Sequence, residues 1–199
     1  VVLDGYPNTS DFQKSIKYDK KCKLVCIDDL HDKEFFADLI INHAPGIKET
    51  AYKVAPYTQL AMGLDFALLR SNFLRRAKNQ TIITSRNKIF VCFGGADPYN
   101  LTHQVLSTLV RERSFKRIVV VVGAVYQWMD SLDEFKNYDW IKLFRDIGEE
   151  EMQSLMSSSD IAIVPSSGVL QEAMACGCMI ITSAYVENQK LLLKGYKEF

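Results

Sequence analysis

Three stretches of this sequence carry residue types that can hold an anion. The first is Lys88-Ile89-Phe90-Val91-Cys92-Phe93-Gly94-Gly95-Ala96-Asp97-Pro98-Tyr99-Asn100-Leu101-Thr102. An apolar run breaks into Gly-Gly, then an Asp-Pro turn, then an Asn placed to cap a helix from Leu101. That order reads as a strand, a phosphate-sized loop and a helix N-terminus. Helix N-termini present unpaired N–H groups and a partial positive charge, which suits a diphosphate. A plain tight turn would use the same two glycines, so this stretch alone does not decide. The second stretch is Ser166-Ser167-Gly168 and the third Ala184-Tyr185-Val186-Glu187-Asn188-Gln189, each leading from a predicted strand into a predicted helix. Glu172 lies four residues into the helix that follows Ser167-Gly168, where a carboxylate can accept the two hydroxyl protons of a ribose. The same position also favours a Glu for the helix dipole alone. Asp97, before Pro98, reads more readily as an Asx-turn residue than as a catalytic group.

Repeated strand–helix units must position these loops. Val1–Asp4, Lys23–Ile27 and Ala37–Asn42 read as buried strands, with a helix from Ser10 to Lys17 whose Ser10-x-x-Gln13 resembles a capping box. From Ala44 to Arg86 the periodicity fades, Pro45, Pro56 and Gly63 intervene, and a connection with a boundary near residues 77–87 is expected. The second half is more regular. Strands are expected at Ile89–Phe93, Arg117–Gly123, Trp140–Phe144, Ile161–Pro165 and Met179–Thr182, and helices at Leu101–Arg113, Trp128–Phe135, Glu149–Ser158, Val169–Ala175 and from Glu187 onward. Apolar rather than alternating strands, separated by helices, predict a doubly wound parallel sheet, whose ligands bind outside the carboxyl ends of the strands.

Composition narrows the partners. Lys+Arg and Asp+Glu balance at 24 each in 199 residues, so bulk charge offers no attraction to nucleic acid or anionic membrane. No run approaches the roughly 18 consecutive apolar residues of a membrane span. An odd count of five cysteines, mostly in apolar runs, fits buried thiols in a reducing cytoplasm rather than a disulfide framework. The opening Val1 without a Met and the stop at Phe199 inside a helical pattern suggest a fragment.

Other chemistries fit poorly. Gly94-Gly95-Ala96-Asp97 is not G-x-G-x-x-G, no acidic residue follows the strand ending at Gly123, and no Walker-type loop is present. His31, His43 and His103 are scattered and read as surface or local hydrogen-bonding residues; no His/Asp/Glu cluster suggests a metal, and no cofactor is expected.

The chain resembles the PseG/SpsG family of UDP-2,4-diacetamido-2,4,6-trideoxy-β-L-altropyranose hydrolases and spore-coat polysaccharide proteins, related to MurG-like glycosyltransferases. Five blocks carry the resemblance in order: Val2-Leu3-Asp4-Gly5-Tyr6, Leu24–Leu30 with Asp28-Asp29, Asp38-Leu39-Ile40-Ile41-Asn42, Gly63–Phe73, and Phe93-Gly94-Gly95-Ala96-Asp97-Pro98 with Asn100-Leu101-Thr102. The resemblance implies an α/β, GT-B-type fold of two Rossmann-like parallel-sheet domains facing a cleft, the N-terminal one incomplete. Residues 1–77 would form the end of the first domain plus the linker, and residues 78–199 the UDP-binding domain.

It further implies a UDP-amino-sugar hydrolase in nonulosonic-acid or surface-polysaccharide synthesis, cytoplasmic and monomeric. Gly94, Gly95, Ala96, Asp97, Ser167 and Gly168 would meet the diphosphate, Glu172 the ribose, Asn188 and Gln189 the sugar or diphosphate, and Tyr6 would line the cleft from the other side. Water would attack the anomeric carbon without a metal, the diphosphate being stabilised by backbone N–H groups. The family's G-G-S-T-x-W-E motif is altered here to Ser166-Ser167-Gly168-Val169-Leu170-Gln171-Glu172, which loses the Thr hydroxyl and the aromatic. The family's catalytic His falls upstream of Val1, so no catalytic residue is assigned. A GT-B glycosyltransferase with the same UDP site and a non-catalytic nucleotide-sugar-binding module are the alternatives.

Overall fold

The apolar runs become short parallel strands. A computed structural model of the chain describes residues 1–5, 7–79 and 87–198. These fall into two units, Val1–Leu68 with Val186–Phe199, and Leu69–Tyr185.

In the first unit, β1 (Val2–Asp4), β2 (Val25–Ile27), β4 (Leu39–Asn42) and β6 (Gln59–Met62) form a parallel sheet in that order, while β3 (Glu34–Phe35) pairs with β5 (Lys53–Val54). The helix α1 (Ser10–Lys14) widens into a π turn over Ser15–Asp19. Its cap is Thr9, whose Oγ1 accepts the Phe12 N–H at 3.2 Å, rather than the expected Ser10. Gln13 is buried and its Oε1 accepts the Phe36 N–H at 2.9 Å, so it ties α1 to the following loop instead of closing a capping box. Leu24, Cys26, Phe35, Ala37, Ile40 and Tyr52 make the core. The stretch expected to be a plain connection supplies β6. Of its four residues only Ala61 is buried, and Pro56 precedes it, so its apolar signal is weak.

In the second unit, α2 (Ser71–Ala77) leads to β7 (Lys88–Val91), α3 (Leu101–Glu112), β8 (Arg117–Val122), β9 (Ile141–Arg145), α4 (Glu149–Ser157), β10 (Ile161–Pro165), α5 (Gly168–Ala175) and β11 (Met179–Ser183). The closing helix α6 (Glu187–Glu198) is counted with the first unit. All five strands run parallel in the order β11-β10-β7-β8-β9. β8 is R-I-V-V-V-V, five β-branched residues buried on both faces, as a strand under helices on each side requires. Each such side chain contributes about 1.5–3 kcal/mol on burial. Leu106 and Leu109 of α3 and Leu132 and Phe135 of the 3₁₀ segment Met129–Asn137 close the core over this sheet. α2 docks on α4: Glu149 Oε1 accepts the Asn72 N–H at 3.0 Å, and Arg76 Nε donates to Ser157 Oγ at 3.0 Å. Among the described residues no helix is long and apolar enough to cross a membrane.

Candidate nucleotide site

The strand order of the second unit decides where a ligand can sit. The chain enters at β7, winds outward through β8 and β9, then returns to the other side of β7 with β10 and β11. The winding direction therefore reverses between β7 and β10. In open parallel sheets the crevice at the carboxyl ends of the two strands flanking such a switch point is the ligand site. The two loops leaving these strands are Gly94–Asp97 and Ser166–Gly168. Both are among the three stretches named from the sequence; the third, Ala184–Gln189, follows β11.

The two loops are built differently. Gly94 has φ +81°, a left-handed conformation that favours glycine, and a Cβ on Gly95 would meet no atom within 4 Å. Backbone N–H groups here can therefore approach a ligand closely. Gly123, at the end of β8, is pressed against this loop: a Cβ there would lie 2.4 Å from the Gly95 carbonyl oxygen. Tyr185 braces it from another side, its hydroxyl donating to the Phe93 carbonyl at 2.9 Å.

The helix N-terminus beyond Gly94–Asp97 is already occupied. Asp97 is buried, with Oδ1 accepting the Leu101 N–H at 2.9 Å and Oδ2 accepting the Thr102 N–H at 2.8 Å and its hydroxyl at 2.7 Å. Asn100, expected to cap α3, instead takes a left-handed conformation and makes no capping bond. Its side chain joins Tyr126, which donates to Oδ1 at 2.5 Å, and Ser131, which accepts from Nδ2 at 3.0 Å. A carboxylate thus stands where an anion would go, and α3 has one fewer opening for a phosphate.

The start of α5 is different. Ser167 precedes it in extended conformation with no side-chain cap, and a Cβ on Gly168 would meet nothing within 4 Å. Ser166 is fully buried, bonded through its hydroxyl to Thr182 at 3.1 Å and through its N–H to the Ser183 carbonyl at 3.1 Å, which anchors the turn to β11. The positive end of the α5 dipole is open beside the switch point.

Glu172 lies one turn into α5. Both its oxygens accept from Arg70, from Nε at 2.7 Å and from Nη2 at 2.9 Å, a bidentate geometry that fixes the carboxylate plane. The hydrogen bond to Glu172, partly offset by burial, raises the Arg70 guanidinium further above its ordinary range. Arg70 also lies over the Phe73 ring, 4.9 Å from its centroid. Arg70 and Tyr185 were not singled out as site residues from the sequence. The pair Arg70–Glu172 spans 102 positions, and no local signal joins them.

The remaining sequence-named residues separate by unit. Gly94, Gly95, Ala96, Asp97, Ser167, Gly168 and Glu172 all belong to the second unit, whereas Asn188 and Gln189 open α6 and belong to the first. There, Asn188 Nδ2 donates a long 3.5 Å bond to Asp29 Oδ2, and Gln189 is buried. Tyr6 lies outside the described residues. Among those described, no three His, Cys, Asp or Glu side chains come together as a metal-binding group.

Comparison with known proteins matches residues 87–198, more than half of the chain, to the family described as glycosyl transferases group 1. Over 205 residues the chain is 28% identical to UDP-2,4-diacetamido-2,4,6-trideoxy-beta-L-altropyranose hydrolase of Campylobacter jejuni, covering 99% of this chain and 72% of that protein. It is 30% identical over 210 residues to an uncharacterized protein of Methanocaldococcus jannaschii, covering 98% and 42%. It is 24% identical over 205 residues to the spore coat polysaccharide biosynthesis protein SpsG of Bacillus subtilis, covering 100% and 59%. The chain thus spans between 42% and 72% of the length of these relatives. With two parallel-sheet units and an open helix end at a topological switch point, the chain is an α/β protein of the GT-B type, belongs to the glycosyl transferases group 1 family and is PseG/SpsG-like.

Proposed function

We propose that the chain binds a UDP-sugar through its second unit and serves a hydrolase that releases UDP in surface-polysaccharide synthesis. The observation that carries this is the uncapped N-terminus of α5 at the β7/β10 switch point, beside the glycine loop and one turn from Glu172. In this reading Ser167 and Gly168 hold the diphosphate on backbone N–H groups, Gly94, Gly95 and Ala96 shape the floor, and Glu172 takes the ribose hydroxyls. Asp97 contributes by fixing the loop rather than by touching phosphate. Tyr6, Asn188 and Gln189 are assigned to the sugar side.

The reaction follows from the leaving group. Water adds to the anomeric carbon, the bond from that carbon to the diphosphate oxygen breaks, and UDP departs with the electron pair while the water loses a proton. Helix-end N–H groups stabilise the departing charge, so no metal is required by this scheme. The activating base is assigned to no residue of this chain. The name of the Campylobacter relative favours water as acceptor, while the family description favours transfer to an alcohol. The same reading takes the protein as a cytoplasmic monomer with no nucleic-acid partner.

The test is to incubate the protein with UDP-2,4-diacetamido-2,4,6-trideoxy-β-L-altropyranose in ¹⁸O-water. Hydrolysis predicts free UDP and one ¹⁸O in the released sugar. UDP binding with no release would leave the binding assignment standing and remove the hydrolase.

A further inference from the structure

The loop that follows β4 and the closing helix α6 enclose a cavity of about 370 Å³. That volume falls within the range of about 300–1,000 Å³ typical of small-molecule sites. Its polar lining is mostly cationic or hydrogen-bond donating: Lys48, Lys194, His31 and Thr50, with Glu198 as the acid among them. Every lining residue lies in the first unit, and none of them is assigned above to the nucleotide or the sugar.

The walls are locked together by backbone packing. Gly195 of α6 touches Pro45 so closely that a Cβ there would lie 1.8 Å from the Pro45 carbonyl oxygen. Only glycine lets the helix meet the loop in this way, and the contact brings Lys194, its neighbour, to the same cavity as Lys48. His31 is held separately. Its N–H donates to Asp28 Oδ2 at 2.8 Å, its φ of +46° is left-handed, and its ring centroid lies 5.8 Å from that of Tyr52. Tyr52 is buried and donates to the same Asp28 oxygen at 2.8 Å, so the imidazole rests on a fixed base.

Two features of this cavity are left unsatisfied by the protein itself. The His31 Nδ1 is buried and has no hydrogen-bond partner among the described residues, a costly state that a bound group would relieve. Unlike Lys33 and Lys190, which pair with Asp32 and Glu187, Lys48 and Lys194 have no ion-pair partner among the described residues. We infer that the cavity binds a small phosphate group through Lys48, Lys194, the His31 imidazole and the Thr50 hydroxyl. Ammonium groups act on a tetrahedral oxyanion as point charges, while the hydroxyl and the ring N–H add directed donors. Glu198 lines the same cavity and repels such a ligand, so removing its charge should strengthen binding. With every lining residue in the first unit, the inference stands apart from the nucleotide assignment in the second.

The experiment follows the His31 ring signals by NMR in the whole chain, titrated near neutral pH and at constant ionic strength with inorganic phosphate, glycerol 3-phosphate and acetate. The expected result is a saturable shift with both phosphates and none with acetate; the tighter of the two tells whether the group is taken free or on an ester. Lys48→Ala and Lys194→Ala each weaken it at least fivefold, Lys48→Arg keeps most of the affinity, and Glu198→Gln tightens it at least twofold. Thermal unfolding recorded alongside separates misfolding from lost contacts. UDP affinity stays within twofold in all four variants. No saturable shift with phosphate, acetate binding as tight as phosphate, indifference to both lysine-to-alanine changes, or weaker binding in Glu198→Gln overturns the inference. Phosphate binding at His31 in a wild-type chain that fails to bind UDP overturns the nucleotide assignment and leaves this one intact.

Discussion

Replacing Glu172 with Ala separates ligand binding from folding. In the folded protein the carboxylate is engaged by Arg70 at 2.7 and 2.9 Å; the Glu172 side chain is 13% exposed and that of Arg70 is 44% exposed. An ion pair with one partner so open to solvent is worth at most about 1 kcal/mol, and the Arg70 left behind can turn to water, so the variant should fold. Removing a charged acceptor from two ribose hydroxyls costs more, about 1–3 kcal/mol, or roughly 5- to 150-fold in Kd. Calorimetric titration with UDP and with 2′,3′-dideoxy-UDP closes a cycle between residue and ligand. Wild type should lose affinity when the hydroxyls are removed, and Glu172→Ala should no longer distinguish the two nucleotides. Equal UDP affinity in wild type and variant, or a variant that still discriminates, would refute the ribose role of Glu172.

Gly123→Ala should destabilise the second unit and weaken UDP binding together, because its Cβ would stand 2.4 Å from the Gly95 carbonyl; thermal melts and UDP titration of the same sample check both. Asp38 accepts from Lys17 at 2.6 Å, Lys23 at 2.9 Å and the Leu24 N–H at 2.9 Å, and although burial pushes its carboxyl up, these bonds hold it well below the usual carboxylate range. A depressed pKa contributes stability above the unfolded value of about 3.9 that is lost as pH falls toward the folded value. Asp38→Asn should therefore be less stable at pH 7 by denaturant melts, with the gap narrowing below about pH 4. Burial raises the Cys92 thiol to about 11 and the Cys178 thiol to about 12, so both should resist iodoacetamide at pH 8 in the native protein while half-buried Cys22 is alkylated first, as read by peptide mass spectrometry.

The regular second half was largely legible because its strands are continuous apolar runs: Ile161–Pro165 is the same in sequence and structure, and Arg117–Val122 differs by one residue. Where burial is partial the signal faded, as in Gln59–Met62 and Ser71–Ala77, both inside the stretch expected to be a connection. Capping was misassigned twice for one reason. Asn100 and Ser10 have the right side chains, but the left-handed turn at Asn100 and the position of Thr9 hand the bonds to Asp97 and Thr9. The two candidate loops could be named from Gly, Ser and Asp content, yet their adjacency rests on strand order, which no local pattern encodes. The same holds for Arg70 with Glu172, and for His43, which looked isolated in the sequence but shares a pocket with three aspartates.

The central claim, that the open end of α5 holds a diphosphate, is tested most directly by UDP titration of Gly168→Asp. An acidic residue in the first turn favours the helix dipole, and a Cβ at Gly168 meets nothing within 4 Å, so folding should be unchanged or slightly improved. The added carboxylate would face the diphosphate, and UDP affinity should fall by more than about tenfold while uridine affinity is unaffected. A Gly168→Asp chain that folds normally and binds UDP as tightly as wild type would contradict the claim.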